Sequence, residues 1–477
     1  MAEPTPPSLD KVDPAQAWQP WKPDDEQPWN LKWAGHLFRR AGYGVTLEEL
    51  RAAVDKGLLE TLEHVLKGNA NSDGKFEDLE SFGQKVVDHK NNEFAQRSWW
   101  LYAFWHSPHP LREKMTLFWH NHFVSSIAKV KFVQKIYNQN KLLRKHALGK
   151  FQAFLLDVSK DVAMLIYLDS NSNIKGKPNE NYAREVMELF SLGVGNYTEK
   201  DVQEAARAFT GWHTNGKDKF EFNKNFHDFD SKTILGQKGE WNGDDVVRII
   251  LEQPVAARFL VRKLYRFFIS ENAEPPDALL APLADAFRKS EFDVARVVGT
   301  MLGSQHFFSE HAYRQRVKSP VEFALGAARA VGLGLVNPEA LAGQIDDMGQ
   351  RLFAPPNVKG WPGGKSWLNT STVLARHNFA QALCSGTSDI NKGSAESPQP
   401  VAWIVDPSAY FKRAKITEPE KILDTLADMV FQDDLGAKTR IRLLTFLKDG
   451  EPKDAAFDQR VREIIHALLC MPEYQLA

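Results

Sequence analysis

The side chains best suited to chemistry are concentrated in residues 163–190, AMLIYLDSNSNIKGKPNENYAREVMELF. In this stretch an apolar helical segment runs into a loop rich in side-chain oxygens. Four residues fall at positions 1, 3, 5 and 12 of a twelve-residue window, which is the ligand spacing of a calcium loop: Asp169, Asn171, Asn173 and Glu180. Ile174 stands at position 6, where a standard EF-hand needs glycine. Two interpretations therefore stay open, an asparagine-rich turn before a capped helix and a cation site that uses Asp169 and Glu180.

The helix predicted over residues 181–192 places charged side chains beside apolar ones. Arg184 and Glu188 are four residues apart on one face, so the pattern predicts an ion pair within the helix. Glu188 lies in the apolar run MELF, where a buried carboxylate without a partner would be costly. The alternative is catalysis, with Glu188 or Glu185 as acid or base and Arg184 holding an anionic group.

A second helix is predicted over residues 199–212, and Thr198 with Asp201 resembles a capping box at its start. Glu204 and Arg207 are three residues apart and predict another ion pair. If the two helices run antiparallel across the short GVGN loop, their charged side chains could face a common polar seam. The same carboxylates could then serve acid–base chemistry or hold a metal ion.

Two histidines, His120 and His122, lie in the motif WHNHF. On a strand they would point the same way and could chelate a metal ion. The flanking sequence LREKMTLF predicts a helix instead, on which the two rings diverge by roughly 200°. We therefore predict one core histidine and one surface histidine. The alternative is that either ring ligates a metal ion or relays a proton in an active site.

A third group of polar residues lies in residues 213–250, which we predict to be an irregular or β-hairpin insertion because KFEFN alternates with period two. Within it, NKNFHDFD contains His227 and Asp228. Histidine and carboxylate together suit zinc, iron or manganese. Loops also often carry binding residues on a rigid scaffold, so these two residues are predicted metal ligands.

Other patterns exclude specific cofactors. GWPGGKS at 360–366 is one residue shorter than a phosphate loop and contains Pro362, so no P-loop nucleotide site is predicted. The only cysteines are Cys384 and Cys470, and no CxxCH occurs, which excludes covalent c-type haem. The two thiols are predicted to be buried and free, although a disulfide between them stays an alternative.

The charge and hydropathy of the chain exclude several classes of partner. The 477 residues include 60 basic and 61 acidic side chains, so the net charge of -1 predicts no nucleic-acid partner. No stretch reaches ~18 uncharged apolar residues, so no membrane span is predicted. The first residues lack the apolar segment of a signal peptide, which predicts either a cytoplasmic protein or the mature form of an exported one.

Helical periodicity dominates the remaining sequence. We therefore predict a mainly α protein, with a large multi-helix globular body and the small insertion described above. Six segments are predicted: a Pro/Trp-rich arm (1–30), an N-terminal helical region (31–212), the insertion (213–250), a second helical region (251–384), a mobile linker (385–400) and a C-terminal helical tail (401–477).

Six motifs together resemble the bacterial domain-of-unknown-function 1800 family, over roughly residues 31–475. They are HLFRRAGYG, LFWHNHFVSS, MLIYLDSNSNIKGKPNENYAREVMELFSLGV, DVQEAARAFTGW, RFLVRKLYRFF and MGQRLFAPPNVKGWPG. The resemblance implies a helical protein, often exported, with no assigned activity. It also implies a gene that often neighbours one for a sulfatase-like protein of the domain-of-unknown-function 1501 family, which is a candidate partner.

The resemblance also implies that certain polar residues belong to motifs of the family, among them the predicted binding residues Asn179, Asn181, Arg207, Asn357, Lys359 and Trp361. Three hypotheses follow. The first is a metal-assisted or carboxylate acid–base enzyme, for example a hydrolase of a sugar or polysaccharide, with a cavity lined by the NENYARE helix, the FWHNHF helix, the His227 loop and the PPNVKGWPGG loop. The second is a non-catalytic partner of the sulfatase-like protein, and the third is a structural protein braced by a divalent metal ion.

Overall fold

The computed structural model describes residues 8–69, 73–215, 219–332, 337–385, 407–449 and 455–477. Within these ranges the chain forms helices joined by short turns, together with four short strands. The prediction of a mainly α fold with a small β-hairpin insertion is therefore confirmed. Of the linker predicted at 385–400, residue 385 ends the helix over 370–385, and residues 386–400 lie outside the described residues.

Thirteen α-helices precede the insertion in the described residues. They are α1 (Pro14–Ala17), α2 (Leu31–Ala41), α3 (Leu47–Lys56), α4 (Leu58–Lys67), α5 (Asp73–Lys90), α6 (Glu93–His106), α7 (Pro110–His122), α8 (Ile127–Val130), α9 (Val133–His146), α10 (Phe151–Ser159), α11 (Val162–Tyr167), α12 (Asn181–Glu188) and α13 (Glu199–Ala208). The predicted capping box of Thr198 and Asp201 is present at the start of α13. Both α12 and α13 end four residues earlier than predicted.

The insertion contains two antiparallel hairpins. The first pairs β1 (Trp212–Thr214) with β2 (Phe220–Phe222), and the second pairs β3 (Lys232–Ile234) with β4 (Gln237–Gly239). The second hairpin turns at Leu235 and Gly236, which both have positive φ, as a tight two-residue turn requires. The period-two alternation of KFEFN therefore predicted β2 correctly, whereas the second hairpin has no comparable alternation.

Helices resume within the predicted insertion, at α14. The second set is α14 (Gly243–Glu252), α15 (Pro254–Phe268), α16 (Asp277–Lys289), α17 (Val294–Leu302), α18 (Pro320–Ala330), α19 (Pro338–Asp347), α20 (Thr370–Ser385), α21 (Pro407–Ala414), α22 (Pro419–Phe431), α23 (Ala437–Leu447) and α24 (Ala455–Cys470). The predicted N-cap Asp293 accepts a hydrogen bond from the Arg296 amide at the start of α17. Between α19 and α20 a long loop, residues 348–369, contains the PPNVKGWPGG motif.

Two clusters of buried apolar side chains form the core, and α7 contributes to both. Leu111, Met115 and Trp119 belong to one cluster, and Leu117 belongs to the other. Because apolar residues occupy so much of its circumference, α7 is almost entirely buried. Any polar side chain on α7 therefore meets another element of the fold.

Tryptophans attach the segment before α2 to the body of the protein. Trp18 is buried and its indole N–H donates a hydrogen bond to the Leu279 carbonyl at 2.7 Å. Trp21 stacks on Phe308 with ring centroids 4.3 Å apart. Each indole removes a large apolar area from water, which explains why this proline-rich segment follows a defined path.

The lengths and apolarity of the helices bear on the prediction about membranes. Across the described residues, every helix is too short or too polar to cross a bilayer.

Candidate functional site

A cavity of about 510 Å³ opens between α7, α15 and the 348–369 loop. Three residues predicted from the sequence motifs line it, namely His122, Lys359 and Trp361. Its wall also includes residues that the sequence did not mark as a site: Lys263, Arg266, Glu271, Arg316, Glu322, Gln350 and Lys365. The cavity thus unites the FWHNHF and PPNVKGWPGG motifs with the helix RFLVRKLYRFF.

The side chain of Asn121, on α7, forms two hydrogen bonds with the backbone of the 348–369 loop. Its side-chain oxygen accepts a hydrogen bond from the Trp361 amide at 2.6 Å, and its side-chain amide donates to the Trp361 carbonyl at 3.1 Å. Gly360 has φ of 79°, and a Cβ there would lie 2.2 Å from Asn121 Oδ1. Asn357 supports the same turn by accepting from the Lys359 amide at 2.9 Å. The loop can therefore approach α7 this closely only with glycine at position 360.

His122 and Lys263 form a hydrogen-bonded pair in the cavity wall. Lys263 Nζ donates to His122 Nδ1 at 3.0 Å and to the Leu189 carbonyl at 3.0 Å. Because Nδ1 accepts, Nε2 carries the imidazole proton, and it donates to the Phe190 carbonyl at 3.1 Å. The two side chains thus cap the carbonyl end of α12, which ties the NENYARE helix to this wall.

Burial changes the protonation of this pair. Desolvation lowers the pKa of His122 well below its ordinary value, and the neighbouring Lys263 charge lowers it further. Desolvation, together with the charge of Arg266, also lowers the pKa of Lys263 to about 8. The imidazole is therefore neutral, and the amine can exchange a proton near neutral pH.

Arg316 connects the two carboxylates of the cavity. Its Nε lies 3.6 Å from Glu271 Oε1, and its NH1 lies 3.4 Å from Glu322 Oε1. Lys114 of α7 forms a second ion pair with Glu322. Although burial opposes ionisation, Lys114 and Arg316 hold the pKa of Glu322 well below its usual range. Glu322 is therefore a fixed negative charge rather than a proton donor.

The rim of the cavity adds three exposed cations, Arg266, Lys359 and Lys365. With Lys263 and Arg316, five cationic side chains face two carboxylates among the described residues of the cavity wall, so positive charges there exceed negative ones by three. Arg316 Nε is buried, and the oxygen it pairs with, Glu271 Oε1 at 3.6 Å, lies just beyond hydrogen-bond distance. Excess cationic charge in a partly enclosed cavity attracts anions.

The structure places the predicted catalytic residues of α12 beside this cavity rather than in its wall. The predicted pair of Arg184 with Glu188 is wrong, because Arg184 donates to Glu199 at 2.7 and 2.8 Å and to Glu180 at 3.0 Å. Glu199 belongs to α13, so the pairing depends on how α12 and α13 pack. Glu188 instead accepts from the Tyr197 hydroxyl at 2.7 Å.

Glu185 is the predicted catalytic residue of α12 whose carboxyl pKa is affected by a cation at the rim of the cavity. Burial raises the pKa of its carboxyl, Glu188 raises it further, and Lys359 at the rim lowers it. Glu185 and Lys359 thus interact across the gap between α12 and the loop. This electrostatic interaction links a third sequence motif to the edge of the cavity.

The side chains of the calcium-like window turn toward protein partners. Asp169 forms an ion pair with Lys129 at 2.8 Å, and Asn181 Nδ2 donates to Asp169 Oδ2 at 3.4 Å. Asn173 donates to the Ala206 carbonyl at 2.9 Å and accepts from the Asn179 amide at 2.9 Å. Glu180 is engaged by Arg184. The geometry is therefore that of an asparagine-rich turn leading into a helix.

His227 and Asp228 lie in the insertion, away from the residues that line the cavity. His227 Nδ1 donates to the Thr210 carbonyl at 2.8 Å, and Asp228 accepts from Arg207 Nε at 2.7 Å. Arg207 also pairs with Glu204 at 3.0 Å, which confirms the predicted ion pair. In the described residues, the one group of three closely spaced histidine, cysteine or carboxylate ligands lies elsewhere, in the pair of helices α20 and α24.

The prediction of one core and one surface histidine in WHNHF is wrong, because both rings are buried. The His120 ring lies among Trp100, Phe353 and Trp361, with ring centroids 5.5 to 5.7 Å away. Its Nε2 meets no hydrogen-bond partner among the described residues. His120 thus packs behind the loop, and His122 lines the cavity.

Lys263 is the site residue that a closer sequence argument could have found. It is four residues after Phe259 and four before Phe267, so it interrupts an otherwise apolar stripe of α15. A cation inside an apolar stripe needs a partner or an aqueous cavity. Arg316 carries no comparable local signal, since it lies in an irregular segment before α18.

Comparison with known proteins identifies a family whose description names no activity. One family model, described as Protein of unknown function (DUF1800), matches residues 36–476, nearly the whole chain. No curated protein and no solved structure matches the chain.

Proposed function

Because this chain belongs to the DUF1800 family, whose description names no activity, we propose its function from the cavity: it binds the anionic group of a small substrate. The observation that carries the proposal is the excess of three positive charges around one cavity, which includes the half-buried Lys263 and the buried Arg316. Carboxylate, sulfate and phosphate groups all suit such a cavity, because each accepts several charge-assisted hydrogen bonds.

The walls favour a substrate with an apolar or ring-shaped part beside its charge. Phe118, Phe267, Trp361 and Trp367 line the cavity next to the cations. A ligand cavity commonly combines apolar walls with few orienting polar groups. A sugar that bears a carboxylate or sulfate combines both features, and is the substrate class we propose.

Lys263 is the group we propose for proton transfer. An ammonium has three N–H donors, and Lys263 uses two of them on His122 and Leu189. The third is available to a ligand in the cavity. A pKa near the working pH suits a general acid or base, whereas Glu322 is held ionised and is a poor proton donor. This weighs against a hydrolase that relies on the paired carboxylates of the cavity.

Titration calorimetry with inorganic phosphate, sulfate and glucuronate tests the proposal. We expect Lys263→Met to weaken binding by about ten- to hundredfold, the loss of one charged hydrogen bond. Lys359→Gln at the rim should weaken it by up to about fivefold, since solvent screens an exposed charge. Affinity should also fall as the pH rises through about 8, because Lys263 then loses its proton.

Lys200→Gln is the matched control, because Lys200 is an exposed cation of α13 that does not line the cavity. It should bind the anions as the unchanged protein does. The proposal fails if none of the three anions binds, or if Lys200→Gln weakens binding as much as Lys263→Met.

Binding to a sulfatase-like protein of the domain-of-unknown-function 1501 family stays a prediction from the family resemblance. Copurification of the two proteins measures it directly. If glucuronate or sulfate displaces the partner from the complex, the partner occupies the same cationic cavity. If neither anion competes, the two functions involve separate surfaces.

A further inference from the structure

Three side chains with metal-binding atoms converge where α20 packs against α24. Cys470 Sγ lies 3.3 Å from His377 Nδ1 and 3.4 Å from His466 Nε2. The two imidazole rings have centroids 4.5 Å apart. All three potential ligand atoms lie within 4.8 Å of one another. This group is distinct from the anion cavity and from every metal ligand predicted from the sequence.

The helices explain why these atoms meet. His466 and Cys470 are four residues apart on α24, so their side chains lie on one face, one turn apart. His377 comes from the middle of α20, which contacts α24 along its length. The group is therefore built on two packed helices rather than on a loop, which favours a defined geometry.

The spacing of the atoms matches a tetrahedral metal centre. Zinc binds thiolate sulfur at about 2.3 Å and imidazole nitrogen at about 2.0–2.1 Å, so a tetrahedral angle separates the two ligand atoms by roughly 3.5 Å. The observed sulfur–nitrogen distances are 3.3 and 3.4 Å. Both sulfur–nitrogen distances are thus those of a tetrahedral zinc site, and the two nitrogen atoms lie no more than 4.8 Å apart.

We propose that His377, His466 and Cys470 bind one zinc ion. Thiolate with imidazole is the ligand set of borderline-soft metal ions, and zinc prefers it in tetrahedral geometry. In the described residues, no further histidine, cysteine or carboxylate joins the group, so within this part of the chain a fourth position is open to water or a bound molecule. His377 and Cys470 also line a cavity of about 770 Å³, from which such a molecule can approach.

In the absence of metal, a hydrogen bond between the Cys470 thiol and either imidazole accounts for the same distances. Burial raises the pKa of the Cys470 thiol to about 11. Zinc binding then releases the thiol proton, whereas a hydrogen bond does not. The metal-bound and the hydrogen-bonded states therefore differ in metal content, and only the metal-bound state can give a thiolate–cobalt spectrum.

Cobalt(II) titration of untagged protein, purified without chelator and then stripped of metal, tests the proposal. We expect one cobalt ion per chain, with a thiolate-to-cobalt charge-transfer band in the near ultraviolet that one equivalent of zinc abolishes. Cys470→Ser should remove the band, and His377→Ala should weaken cobalt binding at least tenfold. Elemental analysis of the protein before stripping should find zinc in the unchanged chain and less than a tenth of it in Cys470→Ser.

Cys384→Ser and His89→Ala are the matched controls. Cys384 is the other cysteine, buried on α20, and His89 is an exposed histidine on α5. Both variants should keep the band and the stoichiometry. The melting temperature of metal-free Cys470→Ser should equal that of the metal-free unchanged protein, which shows that any loss of binding is not a loss of folding.

Two results would overturn the proposal: absence of the charge-transfer band in the unchanged protein, or its loss in Cys384→Ser with retention in Cys470→Ser. The anion proposal is tested independently. Lys263→Met should bind cobalt normally, and Cys470→Ser should bind anions normally, so either proposal can fail alone.

Discussion

At the scale of single residues, two histidines of one motif have opposite environments. His122 accepts from Lys263 and lines a cavity, whereas His120 is enclosed by aromatic rings. Burial lowers the pKa of His120 to about 3, because the enclosed ring cannot be hydrated when charged. Although the two histidines are only two positions apart on α7, His120 packs in the core and His122 forms part of the cavity wall.

The pKa of His120 predicts an acid-dependent loss of stability. In the unfolded chain the ring is protonated below about pH 6.5, but in the folded protein only near pH 3. The unfolded state therefore binds one more proton between these values, so the free energy of unfolding falls by about 1.4 kcal/mol for each unit that the pH falls below about 6.5. His120→Phe removes this contribution and keeps an aromatic ring among Trp100, Phe353 and Trp361.

Urea unfolding at pH 7 and pH 5 measures the effect. The variant should lose about 2 kcal/mol less than the unchanged protein between these two pH values. Other titrating groups contribute equally to both proteins and cancel in the comparison. Equal losses in the two proteins would show that His120 is protonated to the same extent in the folded and unfolded states.

At the scale of elements, the 348–369 loop owes its position to one asparagine and one glycine. Asn121 bonds both backbone groups of Trp361, and Gly360 leaves the room for it to do so. The loop thereby places Lys359, Trp361 and Lys365 in the wall of the cavity. A side chain at position 360 would therefore displace part of the cavity wall.

Gly360→Ala should destabilise the protein by about 2–4 kcal/mol, through positive φ and a clash with Asn121. Gly236→Ala is the matched control, because Gly236 has φ of 84° but its Cβ would meet nothing within 4 Å. That control should cost only about 1 kcal/mol, from backbone strain alone. Denaturant unfolding measures both variants, and equal losses would contradict the role given to Asn121.

Gly360→Ala should also weaken anion binding at the cavity, whereas Gly236→Ala should leave it unchanged. Calorimetry with the anions used above separates these outcomes. Unaltered affinity in Gly360→Ala would mean that the loop binds anions without its contact to α7.

At the scale of the whole molecule, buried ion pairs connect distant helices. Arg144 of α9 bonds Glu113 of α7 at 2.6 and 3.1 Å, and Trp100 of α6 donates to the same carboxylate at 3.2 Å. The next residue, Lys114, reaches Glu322 of α18. Consecutive residues of α7 thus join elements up to about two hundred positions apart in the chain.

Glu113→Gln should lower the free energy of unfolding by about 3–5 kcal/mol, because it leaves the buried Arg144 without its counter-charge. Glu60→Gln is the control, since Glu60 of α4 pairs with Lys56 at the end of α3 and both side chains are exposed. Its effect should lie within the error of a denaturant unfolding experiment. If Glu113→Gln is as stable as Glu60→Gln, the internal ion pair contributes no net stability.

Much of the secondary structure follows from local sequence. The capping box at Thr198 and Asp201 and the N-cap Asp293 each join residues three positions apart. The strand in KFEFN is marked by an alternation within five residues, and its partner residues lie no more than ten positions earlier. Such interactions depend on neighbouring side chains and backbone groups, so they can be predicted without the fold. The Glu204–Arg207 ion pair was predictable for the same reason.

The site was predictable only in part. His122, Lys359 and Trp361 were marked by their motifs, but nothing in the sequence indicated that they share one cavity with Lys263 and Arg316. Arg184 also found its partner on the neighbouring helix, at Glu199, rather than at the predicted Glu188. In each case the deciding contact joins separate elements, whose packing depends on the whole core.

The sequence alone determined the helical class, the hairpin at β2, several helix caps and the motifs from which the cavity is made, because these depend on periodicity and short-range bonding. The tertiary structure alone decided which polar side chains lie close together. It brought Lys263 beside His122 across 141 positions, and Cys470 beside His377 across 93. The physical reason is that helix packing, driven by burial of two apolar clusters, sets the distances between side chains that are remote in the chain.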